Sequence, residues 1–176
     1  MSLLPLVDAQ QRVLEQIVPM GTVSVPIGQA RGLVLAQTVE AREDIPPFAN
    51  TGMDGFAVRS ADTTGASADA PVLLSIAGTI AAGAVAERPL EAGEAMRIMT
   101  GAPIPDGADA VIMVELTETD GPDASTVRCN AEVDHGNHVR PAGDDLIAGT
   151  QIFEPGVVLS PAHIGMLATL GLQTVE

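Results

Sequence analysis

The chain has 176 residues with 46% hydrophobic and only 2% aromatic content, which suits one ordinary domain or two small ones with a core of Val, Ile, Leu, Ala and Met. Its net charge of -15 disfavours nucleic acid and anionic membrane surfaces as partners, since both repel an acidic protein. Because Cys129 is the single cysteine, we expect no disulfide within the chain. We also expect no membrane span and a cytoplasmic location, because the sequence has no leader-like N terminus and no apolar run of about 18 residues.

The first predicted element is an amphipathic helix. Pro5 suits a first helical turn, and an apolar stripe from Leu6 to Ile17 covers about three turns before Pro19 ends the pattern. We expect this helix to pack on its own domain or on a second subunit, because an apolar stripe is unfavourable in water.

Short strands are predicted along the middle of the chain. Alternating and β-branched patterns place them at 22–27, at the end of 33–41, and at 72–77, 110–115, 125–129 and 150–153. A turn signal at 120–123 makes 125–129 the expected returning arm of a hairpin. Glycine and proline residues separate these segments, as is typical of a β-rich domain.

The clearest helix is predicted near the C terminus. Ser160 is a good N-cap, Pro161 fits the first helical position, and Gly171 fits the residue that follows a helix over 162–170. From Leu172 on, the last residues are predicted to start a strand with no partner after it. We therefore expect that the protein normally continues, or that the chain was cut at a domain boundary.

Helices near both ends, with short strands between them, predict an α+β, β-rich fold. We expect a β-rich domain over 46–143 that is inserted in a smaller, discontinuous α+β domain. The smaller domain would be made of 1–45, with the N-terminal helix, and of 144–176. No period of about 20 to 50 residues repeats, which excludes a repeat architecture.

The loop over 44–58 has the composition of a functional site. Two adjacent prolines stiffen its entry, Asn50 and two glycines tolerate unusual φ angles, and Asp54 lies where the loop runs into an apolar strand. A plain connector would need fewer of these features, although most segments rich in proline and glycine are only surface loops.

Two later loops also combine glycine or proline with polar groups. One carries Thr100 with the backbone of Gly101, and the other carries Arg140 with Asp144 and Asp145. Carboxylate oxygens are the ligands that Mg²⁺ prefers, and a hydroxyl with free N–H groups in a glycine loop can hold an oxyanion. If the three loops converge, they would form one site for an anion and a metal ion.

Structural interpretations remain open for each of these residues. Asp54 could cap a turn, Thr100 could be a hydroxyl at a strand end, and Arg97 could pair with any nearby acid. Asp144 and Asp145 could simply be solvated. The three histidines and the cysteine receive no role, because such residues are more often capping, surface or buried filler groups.

The three loops also carry a resemblance to a known family. Residues 44–58 are similar to its signature D-x-P-x-F-D-N-S-A-M-D-G-Y-A-V, residues 97–111 to R-I-M-T-G-A-P-x-P-x-G-A-D-A-V, and residues 140–149 to R-x-x-G-E-D-I-x-x-G. On these motifs the chain resembles the N-terminal region of the molybdopterin molybdotransferase family, which includes MoeA and the gephyrin E domain. The departures are Ala49, Thr51, Gly52 and Phe56 in the first motif, and Asp144 and Leu146 in the third.

The resemblance implies a MoeA N-terminal-region-like fold. Family members continue into a molybdopterin-binding α/β domain and usually a small C-terminal β domain, and we expect both to be absent after Glu176. In the family, the middle β domain of one subunit faces the molybdopterin-binding domain of the other, which implies a homodimer. Alone, this chain would supply half of an active site and be inactive.

The resemblance also implies a reaction. The full-length protein would insert molybdate into adenylylated molybdopterin with the help of Mg²⁺, release AMP, and have a molybdopterin adenylyltransferase as a partner. Implied catalytic residues are Asp54, Thr100 and Asp145, implied metal ligands are Asp54 and Asp145, and implied substrate-binding residues are Arg97, Gly101, Arg140 and Asp144. The alternatives are a non-catalytic dimerisation or scaffold module and, with less support, an unrelated Ca²⁺- or Mg²⁺-binding β domain.

Overall fold

The computed structural model describes residues 4–18, 20–121 and 123–176 of the chain. By their internal contacts these residues form two compact units, a central unit over Ala41–Thr150 and a flanking unit made of both ends of the chain. The predicted insert of 46–143 is narrower than the central unit. The central unit extends further because its first and last residues are hydrogen-bonded to each other. Gly149 N donates to Ala41 O (2.8 Å), and Ala41 N donates to Thr150 O (2.9 Å).

Two α-helices and twelve short strands occur in the described residues, which confirms the α+β, β-rich class. Neither helix has the length and hydrophobicity that a membrane-spanning segment requires. Three 3-10 turns connect some of the strands, at Ile27–Gln29, Ser60–Thr63 and Val114–Leu116. In chain order the elements are α1 Leu6–Leu14, β1 Val25–Pro26, β2 Val39–Glu40, β3 Asn50–Thr51, β4 Gly55–Val58, β5 Val72–Ile80, β6 Glu94–Ile98, β7 Ala110–Met113, β8 Thr117–Thr119, β9 Thr126–Cys129, β10 Val139–Arg140, β11 Gln151–Phe153, α2 Pro161–Thr169 and β12 Thr174–Val175.

The flanking unit contains two small antiparallel ladders. β1 pairs with β12, with Val25 opposite Val175, and β2 pairs with β11. The predicted C-terminal strand is confirmed as β12, and its partner lies near the start of the chain. The core of this unit is aliphatic, and its buried members are Ala30, Leu35, Val39, Leu159, Leu167 and Val175.

The predicted strands of the flanking unit are longer than the observed ones. The segment 22–27 contributes only β1, because a 3-10 turn starts at Ile27 and takes the chain out of the ladder. Within 33–41 only β2 is regular, and 150–153 becomes β11. Short ladders of this kind give weak period-2 signals, so their ends are hard to place from sequence.

The N-terminal helix α1 is shorter than predicted. It follows Pro5 and ends at Leu14, after which the N–H of Ile17 donates to the carbonyl oxygen of Leu14 (3.0 Å) in a tighter turn. Pro19, the predicted end of the apolar stripe, lies outside the described residues. None of the residues of α1 is buried, so the stripe is exposed along the whole helix.

The C-terminal helix α2 is confirmed together with its caps. Ser160 precedes it, with the Ser160 hydroxyl accepting from His163 N (3.3 Å), while His163 Nδ1 accepts from Ser160 N (3.2 Å). This reciprocal pair is a capping box, in which His163 takes the place of the usual Glu or Gln. Pro161 fills the first helical position, and Gly171 has the positive φ of 72° expected just after the helix.

The central unit is built on a six-stranded sheet with the order β7-β4-β6-β5-β9-β8. All neighbouring pairs are antiparallel except β5 and β6, which are parallel. Phe56 on β4 is the one fully buried aromatic side chain among the described residues, so the expected aliphatic core is confirmed. Around it and on the other sheet face lie Val58, Leu74, Ile98, Val111, Ile112 and Val127.

The predicted hairpin is confirmed with 125–129 as its returning arm, and its first arm is β8. β9 pairs with β8 at 117–119, whereas β7 pairs with β4. A 3-10 turn, Val114–Leu116, separates β7 from β8 and redirects the chain between them. Pro122, which belongs to the predicted turn at 120–123, lies outside the described residues.

Candidate functional site

The two-residue strand β3 brings the three predicted loops together within the central unit. On one side it pairs with β10, which places Asn50 opposite Arg140. On the other side, Gly101 N donates to Thr51 O (2.8 Å) and Thr51 N donates to Ala102 O (3.3 Å). The first loop therefore contacts the second and the third through the backbone of adjacent residues.

Asp54 is held by Thr100 across this junction. Its Oδ1 atom accepts hydrogen bonds from the Thr100 N–H (2.7 Å) and from the Thr100 hydroxyl (2.8 Å). The bond from the Thr100 N–H is the main reason that the pKa of Asp54 lies below its ordinary value, followed by the Thr100 hydroxyl, with Arg97 contributing a further lowering. Asp54 is thus an exposed, ionised carboxylate, and the two hydrogen bonds to its Oδ1 atom fix its orientation.

The backbone at Asp54 and directly after it is also fixed. Val114 N donates to Asp54 O (3.1 Å), and β4 begins at the next residue, Gly55. A Cβ atom at Gly55 would run into the carbonyl oxygen of Ile112 on β7, so only glycine lets the two strands approach this closely. Across the junction, Gly101 has a φ of 80°, which lets the chain turn directly after Thr100.

Arg140 in the third loop contacts both predicted acids. Its Nε atom lies 3.0 Å from Asp144 Oδ2, and its Nη2 atom lies 2.8 Å from Asp145 Oδ1. The hydrogen bonds that Arg140 donates to Asp144 and then to Asp145 raise the pKa of Arg140. The side chains are 42–57% exposed, so solvent screens these ion pairs, and they orient the loop more than they stabilise the fold.

The entry of the first loop anchors the third loop. Asp44 Oδ1 accepts from Ala148 N (2.8 Å), and Asp145 N donates to Ile45 O (2.9 Å). Gly143, which has a φ of 74°, donates its N–H to the carbonyl oxygen of Pro46 (2.9 Å). Asp44 received no role from the sequence, although a carboxylate two residues before a stiff proline pair could have indicated such an anchor.

Arg97 lies on β6, opposite Phe56 of β4. It forms no ion pair with any residue that the structure describes, and it is close enough to Asp54 for its charge to lower the pKa of that carboxyl. The sequence-based alternative, in which Arg97 pairs with a nearby acid, is therefore not what the described residues show. Its guanidinium remains able to contact an anion from outside the chain.

The residues present suit one kind of metal ion better than others. Within the described ranges, no three His, Cys, Asp or Glu side chains form a group that could hold a metal by themselves. Asp54 Oδ2 and Asp145 Oδ2 accept no hydrogen bond from a described residue, and both carboxylates are exposed. Mg²⁺ is commonly held by one or two carboxylates with water and substrate phosphates, whereas Ca²⁺ and structural Zn²⁺ need more protein ligands.

Two sizeable cavities are lined by other parts of the chain. One of about 520 Å³ in the central unit is lined partly by Thr79, Arg88 and Met96. Another of about 450 Å³ in the flanking unit is lined partly by Leu35 and Val175. Neither is lined by the predicted site residues, whose polar groups lie on an open surface instead.

Comparison with known proteins identifies the same family, and the same region of it, as the sequence motifs do. Residues 4–171 match the family model described as the MoeA N-terminal region (domain I and II). Molybdopterin molybdenumtransferase 2 of Mycobacterium tuberculosis is 42% identical over 165 residues, covering 94% of this chain and 40% of that protein. Molybdopterin molybdenumtransferase of Staphylococcus epidermidis is 34% identical over 169 residues, covering 96% of this chain and 40% of that protein.

The fold of a solved structure agrees with these sequence matches. The crystal structure of the molybdopterin biosynthesis moeA protein from Pyrococcus horikoshii OT3 superposes with a TM-score of 0.87 at 33% identity, covering 99% of this chain and 45% of that one. The chain thus spans about 40% of the length of the curated relatives that it matches. Those relatives are named as transferases, which favours the enzymatic interpretation over the scaffold alternative.

Proposed function

We propose, because the chain belongs to the family of MoeA N-terminal regions, that it supplies one wall of the active site of a molybdopterin molybdenumtransferase. The proposed reaction of the full-length protein is the insertion of molybdate into adenylylated molybdopterin, with release of AMP. The chain covers less than half of its relatives, so we assign it the three-loop wall and expect no turnover from it alone.

The observation that carries the proposal is the contact between Asp54 and Thr100. A carboxylate that accepts both an N–H and a hydroxyl from the next loop stays ionised at neutral pH and points in one direction. Its second oxygen accepts nothing from the described residues, and it lies on an open surface where a substrate can approach. Such a group is suited to hold a metal ion.

The other predicted residues have proposed roles around this carboxylate. Asp54 and Asp145 would hold a Mg²⁺ ion, which when bound neutralises phosphate oxygens of the substrate. Arg97 and the backbone of Gly101 would contact the anionic substrate, since Arg97 makes no ion pair within the described residues. Thr100 would contact an oxyanion by turning its hydroxyl away from Asp54, which its N–H would continue to hold.

Arg140 and Asp144 are proposed to shape the third loop and its charge. Arg140 neutralises part of the acidity of Asp144 and Asp145, with which it forms ion pairs. In a chain with a net charge of -15, this local pairing and Arg97 lower the repulsion that a phosphorylated substrate would meet. The loop can thus present Asp145 without driving the substrate away.

The partners are proposed from the family as well. An open surface on the three loops would be closed by the molybdopterin-binding domain of a second subunit, so we propose a homodimer of the full-length protein. A molybdopterin adenylyltransferase would supply the adenylylated substrate, and we propose that both act in the cytoplasm. Nucleic acid and membranes are not proposed as partners, because the chain is strongly acidic.

The test is the substitution Asp54→Ala in the full-length protein, with conversion of adenylylated molybdopterin and molybdate to molybdenum cofactor as the measurement. We expect cofactor formation to be abolished while the thermal unfolding midpoint is nearly unchanged, since Asp54 is exposed. The matched control is Asp69→Ala, an exposed aspartate outside the three loops, which should form cofactor normally. Equal cofactor formation by both variants would refute the assignment.

A further inference from the structure

We propose that Thr51 is a positioning residue whose hydroxyl sets the conformation of the turn at 51–54 and so directs the Asp54 carboxylate at Thr100. The inference rests on the proposed function for the importance of Asp54. Three observations on the central unit lead to it.

The first observation is the local bonding of the Thr51 side chain. Thr51 is 1% exposed, and its Oγ1 atom accepts from Met53 N (3.1 Å) and donates to Met53 O (3.1 Å). Both partners lie on the residue directly before Asp54. A threonine that bonds the backbone two residues later is a common way to close a tight turn.

The second observation is that this turn has little else to hold it. Gly52 and Met53 are both exposed, and a Cβ atom at Gly52 would meet only the Cδ atom of Arg140, at 4.0 Å. Among the described residues, the backbone of Met53 is hydrogen-bonded to the Thr51 hydroxyl alone. Removing the hydroxyl would therefore leave two consecutive exposed residues free to change their backbone angles.

The third observation is that both ends of the turn are fixed. Upstream, the backbone of Thr51 is bonded to the second loop and paired with β10. Downstream, Asp54 O accepts from Val114 N, and Gly55 packs closely on β7. Because only the two residues between these anchors can move, the hydroxyl acts on the direction of the Asp54 side chain more than on the fold.

The test compares Thr51→Val, which keeps the shape but loses the hydroxyl, with Thr51→Ser, which keeps the hydroxyl, in the 176-residue chain. The measurement is the Thr100 amide by NMR, because its short bond to a carboxylate gives a downfield proton shift and slow hydrogen exchange. Asp54→Asn gives the reference spectrum for loss of the charged acceptor. In Thr51→Val we expect the downfield shift to be lost and exchange to accelerate by about tenfold or more.

Thr63→Val is the control for a merely structural effect. Thr63 is also fully buried, with its hydroxyl bonded to Ser60 O (2.8 Å) and Val133 N (3.1 Å), away from the Asp54 turn. The proposal requires that Thr51→Ser and Thr63→Val keep the proton shift and the exchange rate that the Thr100 amide has in the unmodified chain. It is overturned if Thr51→Val leaves the shift and exchange of that amide unchanged, or if Thr63→Val alters them equally. If Thr51→Val does not fold, the proposal is overturned when Thr51→Ser loses the downfield signal.

These outcomes are independent of the proposed function. The amide signal reports only the contact between Asp54 and Thr100, whether or not the full-length protein makes cofactor. If Asp54→Ala proves harmless to cofactor formation, the proposed function fails while the positioning role of Thr51 can still hold. If the Thr100 amide signal does not depend on the Thr51 hydroxyl, the positioning role fails and the proposed function is not affected.

Discussion

Asp54 accepts two hydrogen bonds from Thr100 on the same oxygen, one from its N–H at 2.7 Å and one from its hydroxyl at 2.8 Å, although the two residues are 46 positions apart in the chain. This contact connects the loop that precedes β4 to the loop that follows β6. It also explains why a Thr-Gly pair follows β6, since the threonine supplies both donors and Gly101 lets the chain turn away at positive φ.

We predict that Thr100→Val raises the pKa of Asp54 towards its ordinary value, because one of the two bonds that lower it is removed. Thr100→Ser keeps the hydroxyl and should keep the lowered pKa. The measurement is a pH titration of the Asp54 carboxyl carbon by NMR. An Asp54 pKa in Thr100→Val that matches the unmodified chain would contradict the bonding described.

The same shift has a consequence for stability. Because the pKa of Asp54 is lower in the folded chain than in the unfolded one, its contribution is fully present above the ordinary pKa of aspartate and is lost as pH falls through the lowered value. Urea unfolding at neutral and acidic pH should therefore show a smaller acid-dependent loss in Asp54→Asn than in the unmodified chain. A loss of the same size in both would speak against this contribution.

Gly55→Ala should destabilise the central unit by about 2 kcal/mol or more, because the added methyl group on the fully buried strand β4 runs into the backbone of Ile112. Gly52→Ala is the matched control from the same loop, since its added methyl group meets nothing nearer than 4.0 Å. Thermal or urea unfolding of the two variants gives the comparison. Similar stabilities would show that the β4–β7 approach is looser than described.

Ser160→Ala should destabilise the flanking unit by about 1 kcal/mol, because the first turn of α2 loses the hydroxyl that caps His163 N. Ser160→Asp supplies another good cap and should lose much less. The far-UV circular dichroism signal during urea unfolding reports the difference. If alanine and aspartate behave alike, the capping box does not stabilise the helix as its geometry indicates.

Cys129 should be unreactive in the folded chain. Burial raises the pKa of its thiol to about 11, so almost no thiolate is present at pH 8, and the side chain is fully buried on β9. Labelling with a thiol reagent should be slow in buffer and fast in concentrated urea. Rapid labelling under native conditions would show that β9 opens readily.

Much of this fold could be predicted from its local signals. The α2 helix carries its own start and stop residues, Ser160, Pro161 and Gly171, so its bounds were predictable to within a residue. The aliphatic core followed from composition, since almost no aromatic residues are available. These features depend on neighbours in sequence, which is the information that a single chain contains.

Features that depend on distant pairing could not be predicted in the same way. The break between β7 and β8 has no local signal, because the turn at 114–116 contains no proline or glycine. The last strand finds its partner at Val25, far back in the chain, where only two residues are regular. The bonds that join Ala41 to Gly149 and Thr150 at the edges of the central unit leave no local pattern in the sequence.

The candidate site was predictable in its members more than in its contacts. The three loops and their charged residues could be selected from composition, spacing and a family resemblance. That Thr100 binds Asp54, that Arg140 bridges Asp144 and Asp145, and that Asp44 anchors the third loop required the structure. Each of these contacts joins positions whose pairing is set by the sheet and by β3, and no sequence period encodes it.

The central claim, that the negative charge of Asp54 serves the reaction, is tested most directly by Asp54→Asn in the full-length protein. Asparagine can still accept the two bonds from Thr100, so the loop keeps its shape while the charge disappears. We predict that AMP release from adenylylated molybdopterin in the presence of molybdate and Mg²⁺ slows by about a hundredfold or more, while Asp69→Asn releases AMP at the unmodified rate. Equal rates for Asp54→Asn and Asp69→Asn would contradict the claim.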